Sequence, residues 1–438
     1  MKSSTSPAER LLCRILPWVA VAAVLGGSVF WLRLVGWLQV EEYWIAHARW
    51  FHFDNQEEDS AAAYRRFIEF KISVQTLSWP WTLSKWPKQL LLIAVVAVAI
   101  SQWRPWRRSP PWSWLGVAVL ALALFTAASA LWAGLWLNVI AGARSFVSWG
   151  LAVMSPAIAS VSVLRALART LAWTLVVQTV MVLIELHQGM LLYSVHLFDR
   201  DIVRVVGSFN LPASLGSFAV VAWFASYCWG ELRPRTLLWL AVALGIVLVP
   251  NGSAVAWVSL VMGLAAIALS RLQQRWRIVL LLAALPTLLL LWQGLPQLTG
   301  RADVHTSLWG RIQPVHEYAA QRLSTTEVLL GLGFGEGTNA LSAQVGTAPI
   351  ATGALPDRPV GDSLPATLFW QIGLVGVVLA YLWMAMALRA DPRSRPVGVA
   401  LIVSSVAINI TELFPVNLVL GFWLAHAARA REDDDAAA

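Results

Sequence analysis

Residues 88–131 read KQLLLIAVVAVAISQWRPWRRSPPWSWLGVAVLALALFTAASAL. Two apolar stretches flank a short turn that holds Arg104, Arg107 and Arg108. A helix needs roughly 20 apolar residues to cross a bilayer, and both stretches approach that length. The segment therefore predicts two transmembrane helices joined by a basic turn.

The same pattern recurs along the whole chain. Hydrophobic residues make up 58% of the 438 residues and charged residues 13%, against about 25% charged residues in soluble domains. We predict an all-α polytopic membrane protein with about 12 transmembrane helices, forming a single integral membrane domain over residues 1–438. The predicted spans are 11–31, 88–103, 112–131, 145–164, 170–187, 213–230, 236–250, 254–270, 278–294, 364–388, 397–410 and 412–427.

Arginine indicates the orientation of these spans. Arg outnumbers Lys 28 to 4, and the net charge is +8. The arginines fall in every second turn between spans, which is the bias that keeps basic turns in the cytoplasm. Both termini are therefore predicted to be cytoplasmic, and the basicity indicates topology rather than a nucleic-acid partner. The turn arginines are Arg104, Arg107, Arg108, Arg165, Arg169, Arg233, Arg235, Arg271, Arg275, Arg277, Arg389, Arg393 and Arg395.

Three longer segments lie on the opposite, outer side. Residues 32–87 mix acidic, basic and aromatic residues, so we expect amphipathic surface helices there and assign them no chemistry. Residues 188–212 connect the fifth and sixth spans. Residues 295–363 are predicted to form a large periplasmic loop between the ninth and tenth helices. That loop is expected to carry the active site, because a helical bundle does not need so long a loop for its stability.

Charged residues are scarce inside the predicted spans. Glu185 and Glu412 lie near outer ends, and Arg14 lies near an inner end. Carriers driven by protons or sodium usually place ionisable groups near the bilayer midplane. The pattern therefore argues against an ion-coupled carrier.

We expect the cysteines and most of the tryptophans to have structural roles. Cys13 and Cys228 are expected to be small core residues. The 26 tryptophans cluster near span ends and are expected to anchor the helices at the membrane interface. Sugar stacking by a few outer tryptophans is the alternative.

Outer arginines are the candidates for binding an anion. Arg204 precedes the sixth span in the sequence RVVGSFNLP, and Arg311 lies within the long loop in the sequence GRIQP. A single outer arginine is often a lipid-headgroup anchor. Two outer arginines that converge on one site would instead suit a phosphate or pyrophosphate, because the guanidinium binds such anions bidentately. Arg200 and Arg322 are weaker candidates for the same role.

Two segments of the long loop have a readable pattern. Apolar residues at helical spacing predict a helix over residues 307–323. The glycine run LLGLGFGEG follows at 329–337. Such a run could cradle a phosphate, but there is no nucleotide to bind outside the cytoplasm. We therefore expect a tight turn packed against the bundle.

Asp362 is the leading catalytic carboxylate. It lies where the long loop meets the tenth span, so either Asp362 or Ser363 could cap the helix N-terminus. Asp362 could also act as a general base that takes the proton from an attacking sugar hydroxyl, and the two roles are compatible. His305, His316 and Glu336 are lesser alternatives for the base. The histidines lack a metal-ligand spacing, so no metal is expected.

Four short motifs of the sequence are similar to motifs of one protein family. They are RVVGSFNLP from Arg204, GRIQP around Arg311, LLGLGFG at 329–335, and Asp362-Ser363 ahead of the sequence GLVG. They resemble motifs of the O-antigen ligase and Wzy-type polysaccharide polymerase superfamily. The plan of twelve spans, with the major periplasmic loop between the ninth and tenth, is also similar. The resemblance covers roughly residues 170–425.

The resemblance implies an inverting glycosyltransferase at the periplasmic face of the bacterial inner membrane. Its donor would be a sugar carried on undecaprenyl pyrophosphate, and no cofactor is expected. Arg204 and Arg311 match the family arginines that hold the pyrophosphate, and Asp362 stands where the ligases carry histidine. The expected partners are the lipid-linked oligosaccharide, membrane lipids, and chain-length regulator and export proteins.

Three functions remain open from the sequence. The favoured one is polymerisation of lipid-linked repeat units into an exopolysaccharide, capsule or O-antigen. The second is an O-antigen ligase that transfers polysaccharide to lipid A core, and the replacement of the ligase His-Asn pair by Asp362-Ser363 counts against it. The third is a non-enzymatic carrier of lipid-linked glycans, which the large outer loop and the scarcity of midplane charge disfavour.

Overall fold

A computed structural model describes most of the chain. Nearly all of the predicted ninth span and residues 32–78 of the first outer segment lie outside its described residues. The residues that the structure describes are 6–25, 79–102, 114–188, 194–197, 200–203, 205–209, 212–273, 293–294, 297, 315–338 and 363–437.

Helices dominate the described residues. In chain order they are α1 (Pro7–Ile15), α2 (Trp18–Leu25), α3 (Trp79–Ser101), α4 (Trp114–Trp132), α5 (Trp136–Met154), α6 (Val161–Gln188), α7 (Pro212–Trp229), α8 (Pro234–Asn251), α9 (Ala254–Arg271), α10 (residues 315–322), α11 (Thr325–Leu330), α12 (Leu364–Ala390), α13 (Arg395–Ala407) and α14 (Val416–Ala437).

Within this described part, six helices are long and apolar enough to cross a membrane, namely α4, α5, α6, α8, α9 and α12. Part of α3 and all of α13 are shorter apolar helices. Lipid offers no partner for backbone N–H and C=O groups, so a spanning segment must satisfy them internally, as a helix does. The chain is therefore a multi-pass, helical membrane protein.

Helices coincide with every predicted span that the structure describes. Each of those spans overlaps at least one helix, with limits that shift by several residues in places. The total of twelve stays a prediction, because the ninth position, 278–294, falls almost entirely outside the described ranges.

The predicted limits of the fourth and fifth spans are wrong. The sequence predicts spans at 145–164 and 170–187, with Arg165 and Arg169 in the turn between them. The structure instead ends α5 and begins α6 on either side of a short turn that contains Pro156. Proline lacks the backbone N–H that would continue the helix. The two arginines lie in the first turns of α6, where long side chains can extend towards the membrane edge.

Two other predicted spans are not single straight helices. The first is divided at Pro17 into α1 and α2, which follows from the same property of proline. The tenth span, α12, is kinked at Gly373, where φ is 69° and ψ is −175°. A kink leaves backbone groups without their helical partners. At Gly373 those groups bond a distant loop, as described below.

The predicted eleventh and twelfth spans are also shorter than expected where they meet. The sequence predicts helices at 397–410 and 412–427, but α13 ends at Ala407 and α14 begins at Val416. The residues between them are non-helical and almost all buried. In a membrane protein, non-helical backbone is tolerated where protein or a water-filled cavity surrounds it. This connection is therefore part of the packed interior.

One short β-hairpin accompanies the helices. Strands β1 (Ser194–Leu197) and β2 (Arg200–Val203) lie between α6 and α7 and pair antiparallel, with Ser194 opposite Val203. The sequence predicts residues 188–212 only as an outer segment. Val195 and Ile202, which pair across the hairpin, are β-branched residues that favour strands.

One end of the bundle, as far as the described residues show it, carries arginines at helix ends and turns, and we call it the arginine face. Arg165, at the start of α6, forms an ion pair with Glu231 in the α7–α8 turn. Arg429 of α14 donates a hydrogen bond to the C=O of Ala157 at 3.2 Å and lies 3.7 Å from the Glu9 carboxylate of α1. The start of α1, the α5–α6 turn and the end of α14 therefore meet on one face, as the alternating arginine pattern predicts. Which side of the membrane this is remains a prediction.

The tryptophans only partly follow the predicted interfacial placement. Trp149 and Trp383 are fully buried, and their ring centroids lie 5.6 Å apart. Gly116 makes room for this pair, because a Cβ there would lie 2.5 Å from the Trp383 ring. Trp132, at the end of α4, is 94% exposed, as an interfacial anchor would be. Small residues at helix contacts therefore let large rings fill the interior.

Candidate functional site

The opposite end of the bundle gathers two loops, residues 205–209 and residues 331–338, and we call it the loop face. Helices α5 and α6 both meet the arginine face at the turn between them. Their other ends, at Trp136 and Gln188, therefore lie at the loop face. Side-chain hydrogen bonds connect the first loop to the end of α6 and the second to the start of α5.

Residues 205–209, with the sequence VVGSF, are held by buried side chains of α6. The Glu185 carboxylate accepts a hydrogen bond from the Gly207 N–H at 3.0 Å. Gln178 lies two turns earlier on the same side of α6. It accepts from the Ser208 N–H at 2.9 Å and donates to the Ser208 hydroxyl at 2.7 Å. Buried backbone groups must be paired, and these side chains supply partners that a non-helical segment lacks.

Helix α8 holds the same segment from another direction. Asn251 donates through Nδ2 to the C=O of Val205 at 3.0 Å and to the C=O of Pro212 at 2.8 Å. The Val205 N–H donates to the C=O of Pro250 at 3.3 Å. The segment that follows Arg204 in the sequence is therefore fixed to two helices at once.

The kink in α12 receives the glycine loop, which we define as residues 331–338. In an unbroken helix the C=O of Trp370 would accept from the N–H four residues later. Here it accepts from the Leu332 N–H at 2.7 Å. One residue further along α12, Gln371 Oε1 accepts from the Gly335 N–H at 3.2 Å. The kinked region of α12 thus supplies hydrogen-bond acceptors for N–H groups of the glycine loop.

Glycine is required at two contacts in this region. Gly373 has a φ of 69°, and a Cβ there would lie 2.1 Å from the C=O oxygen of Leu329. Gly335 has a φ of 87°, and a Cβ there would lie 2.1 Å from the C=O oxygen of Asn138 in α5. No side chain fits at either distance. The prediction of a tight turn packed against the bundle is confirmed, and the N–H groups of Leu332, Gly333 and Gly335 bond α12 rather than facing outwards.

An aromatic contact fixes the glycine loop to α5. Phe334 is buried, and its ring stacks on that of Phe146 with centroids 5.3 Å apart. A Cβ at Gly142 would lie 2.5 Å from the Phe334 ring, so the small residue allows this approach. The loop is therefore bound to α5 and α12 together.

Glu336 is the charged residue of the glycine loop. It is half-buried, and its Oε1 accepts a hydrogen bond from Asn138 Nδ2 at 2.8 Å. Asn138 is itself buried in the first turn of α5. A carboxylate is thus held in a defined position at the loop face, at the edge of the bundle rather than within its core.

Ser363, rather than Asp362, caps α12. The Ser363 side chain accepts a hydrogen bond from the Ala366 N–H at 3.4 Å. The Leu364 N–H donates to the C=O of Ile408 at 3.3 Å, in the non-helical connection before α14. Asp362 lies outside the described residues, and the capping role that the sequence left open between the two belongs to Ser363.

The connection between α13 and α14 brings further polar groups to this region. Glu412 accepts a hydrogen bond from the Ser145 hydroxyl of α5 at 3.2 Å. The Thr411 hydroxyl donates to Asn409 Oδ1 at 2.6 Å. Ser145 lies midway along α5, so the Glu412 carboxylate reaches the middle of that helix. The outer location of Glu412 stays a prediction.

Helix α10 carries two of the predicted binding residues. Residues 315–322 are helical, within the predicted helix 307–323. His316 is exposed. The Arg322 guanidinium lies 5.7 Å from the centroid of the Tyr318 ring, a cation–π arrangement. Tyr318 packs edge-on against Trp370 of α12, so this part of the long loop also contacts the kinked helix.

A capping box precedes the glycine loop. Ser324 donates from its N–H and its hydroxyl to Glu327, both at 2.8 Å. These hydrogen bonds hold the pKa of the Glu327 carboxyl below its usual value, because they stabilise the charged form. Helix α11 thereby starts at a fixed point, close in sequence to the loop.

The remaining predicted residues are not brought together by the described structure. Arg200 lies in β2, and only its backbone is described. Arg204, Arg311, Asp362 and His305 lie outside the described residues. Their predicted roles remain predictions.

The buried amides that help to build the loop face were not among the residues that the sequence analysis predicts for the site. Asn138, Gln178 and Gln371 are side-chain amides within apolar helices, and all three are buried. An amide in an apolar span must find a partner, since an unpaired one is costly to bury. That signal was available in the sequence, although the partner of each amide was not.

No three His, Cys, Asp or Glu side chains gather in the described ranges in a way that could hold a metal ion. No model of a known protein family matches the chain, and no curated protein matches it.

Proposed function

We propose that the chain is a membrane glycosyltransferase that polymerises undecaprenyl-pyrophosphate-linked oligosaccharide repeat units at the loop face. The observation that carries the proposal is how that face is built. The two segments with glycosyltransferase-like motifs, 205–209 and 331–338, are both fixed to the bundle by buried side chains. Loops that merely connect helices run over the surface. Rigid support of this kind suits a site that must hold reacting groups in place.

A lipid-linked donor suits this location. Its polyprenyl chain would lie in the bilayer and its pyrophosphate at the membrane edge. Arg204 and Arg311 are proposed to bind that pyrophosphate and to stabilise the charge that develops on it as it leaves. Arg204 is followed in the sequence by Val205, whose N–H and C=O both bond α8.

The proposed reaction is a single displacement that inverts the anomeric carbon. An acceptor hydroxyl oxygen forms a bond to that carbon while the bond from the carbon to the pyrophosphate oxygen breaks. The electron pair of the broken bond leaves with the lipid pyrophosphate. Asp362 is proposed to take the hydroxyl proton. Because Ser363 caps α12, the Asp362 carboxylate is not needed for that structural role.

The ligase alternative shares this chemistry and differs in its acceptor, which would be lipid A core. The carrier alternative requires parts of the bundle to move against one another in alternating access. The two loops instead connect α5 to α12 and α6 to α8 through side-chain hydrogen bonds. These connections favour a transferase over a carrier.

Deleting the gene and analysing the surface glycans tests the proposal. Loss of the polymerase should leave single repeat units attached to undecaprenyl pyrophosphate. Loss of a ligase should instead leave long polymer on that lipid, and loss of a carrier should leave repeat units at the cytoplasmic face. Unchanged glycans in a strain that makes them would contradict all three.

A further inference from the structure

We propose that Glu336 binds a hydroxyl group of the acceptor saccharide and that Asn138 is the residue that positions it. The inference rests on the proposed glycosyl transfer and adds the group that recognises the acceptor. The two residues are 198 positions apart in the sequence, yet Asn138 Nδ2 and Glu336 Oε1 lie 2.8 Å apart.

The glycine loop gives Glu336 a fixed position. The preceding residue, Gly335, contacts the backbone of Asn138 so closely that no side chain fits between them. The Glu336 N–H donates to the C=O of Gly333 at 3.2 Å within the loop. A carboxylate that is already ordered loses little conformational entropy when it binds a ligand.

One carboxylate oxygen of Glu336 remains available for a ligand. Oε1 accepts from Asn138, and Oε2 has no hydrogen-bond partner among the residues that the structure describes. A carboxylate only accepts hydrogen bonds when ionised. The matching ligand group is therefore a donor, such as a sugar hydroxyl, and such charge-assisted hydrogen bonds are short and strong.

The negative charge selects the acceptor over the donor. Like charges repel, so a carboxylate near the pyrophosphate would weaken binding of the donor. The reacting end of the acceptor is a neutral sugar hydroxyl, which carries no such penalty. Glu336 therefore suits the acceptor half of the site.

A purely structural role for Glu336 makes a different prediction. Glutamine at position 336 could still accept the hydrogen bond from Asn138 Nδ2, because its amide has a carbonyl oxygen. The loop would keep its connection to α5 while the charge is lost. Glu336→Gln therefore separates binding of a hydroxyl from anchoring of the loop.

The test measures transfer by the purified full-length protein. The donor is the lipid-linked repeat unit extracted from the deletion strain. The acceptor is the same repeat unit with its lipid pyrophosphate replaced by a benzyl group, so that it can only accept. Glu336→Gln should raise the KM for the acceptor about tenfold to a hundredfold. The KM for the donor and the Tm should stay at their wild-type values.

Glu327→Gln is the matched control. Glu327 lies in the same long loop, and glutamine can replace glutamate in a capping box. This variant should leave both KM values unchanged. A wild-type acceptor KM for Glu336→Gln would overturn the inference. So would a lowered Tm with both KM values raised, because that pattern indicates an anchor only.

Asn138 is tested through a double-mutant cycle. Asn138→Ala leaves the carboxylate charged but unpositioned, and it should raise the acceptor KM about threefold to tenfold. Adding Asn138→Ala to Glu336→Gln should then cause less than the product of the two effects, because both act through one carboxylate. Independent, multiplicative effects would exclude positioning. If the wild-type protein transfers no sugar, the proposed function fails; if it transfers and Glu336→Gln is normal, only the role of Glu336 fails.

Discussion

At the scale of the residue, polar side chains within apolar helices hold the loops of this protein. Gln178 of α6 and Gln371 of α12 are fully buried, and each accepts a hydrogen bond from a loop N–H. The Glu185 carboxylate does the same for Gly207. Each of these bonds connects a helix to a segment far away in the sequence, so single substitutions should affect the whole loop face.

Gln178→Leu should destabilise the protein. The change removes both hydrogen bonds to Ser208, whose N–H and hydroxyl are buried, and the expected loss in free energy of unfolding is about 1–3 kcal/mol. Thermal unfolding in detergent measures it. Thr174→Val is the control, because the Thr174 hydroxyl donates to the C=O of Thr170 in its own helix, at 2.9 Å, and to no other described residue. Equal Tm values for the two variants would contradict the account of Gln178.

Arg204→Lys and Arg311→Lys should each lower kcat/KM for the lipid-linked donor by about tenfold or more, because lysine keeps the charge but loses the bidentate fork. Transfer by the purified protein measures the loss. Arg233→Lys, on the arginine face just before α8, should behave as wild type. Normal polymer from both outer variants would remove the arginines from the leaving-group role.

At the scale of the element, the kinked α12 and the glycine loop form one unit. The kink leaves the C=O of Trp370 without its helical partner, and this C=O accepts a hydrogen bond from the Leu332 N–H of the loop instead. Gly373 and Gly335 each allow a contact that a side chain would block. Replacing either glycine should therefore disrupt both the kink of α12 and the fold of the glycine loop.

Gly373→Ala should cost at least about 1–3 kcal/mol of stability, since its backbone conformation is one that almost only glycine adopts. The new Cβ would also meet the C=O oxygen of Leu329. Gly245→Ala is the control, because Gly245 lies within α8 and a Cβ there would meet no atom within 4 Å. That variant should be neutral or slightly more stable. A Gly373→Ala protein with wild-type Tm and activity would disprove the proposed unit.

The positions of the helices could be predicted from the sequence, but their interruptions could be predicted only in part. Hydropathy measures how far an apolar stretch extends, and it does not show where the stretch bends. The breaks near Pro17 and Pro156 follow from a residue type that ends helices. The kink at Gly373 does not, because glycine is common in transmembrane helices.

The candidate site could likewise be predicted from the sequence only in part. The glycine turn could be predicted, since a run of glycines indicates unusual backbone conformations. The bond from Asn138 to Glu336 could not, because the two residues lie in distant segments and only the packing of the loop between α5 and α12 brings them together. The partner of a buried amide is a tertiary property that no local pattern records.

At the scale of the whole molecule, the two ends of the bundle differ in chemistry. The arginine face joins helix ends through ion pairs such as Arg165–Glu231. The loop face holds the hairpin, the glycine loop and the capped start of α12. This polarity is what a protein with cytoplasmic arginine turns and a periplasmic site would have.

Cysteine accessibility in cells tests that orientation. Cys13 and Cys228, which are free thiols, are first replaced by serine or alanine. Single cysteines at positions 105, 273 and 392 should then be protected from an impermeant reagent, and one at position 345 should react, because arginine turns are retained in the cytoplasm. Reaction at 273 and protection at 345 would reverse the predicted orientation.

The most direct measurement of the central claim uses purified protein in liposomes with the lipid-linked repeat unit as the only glycan. The account predicts that glycans of increasing length form and that one undecaprenyl pyrophosphate is released for each new linkage. Asp362→Asn protein with wild-type Tm should do so far more slowly, by about a hundredfold or more. A folded wild-type protein that moves the repeat unit across the bilayer without lengthening it, or does neither, would contradict the account.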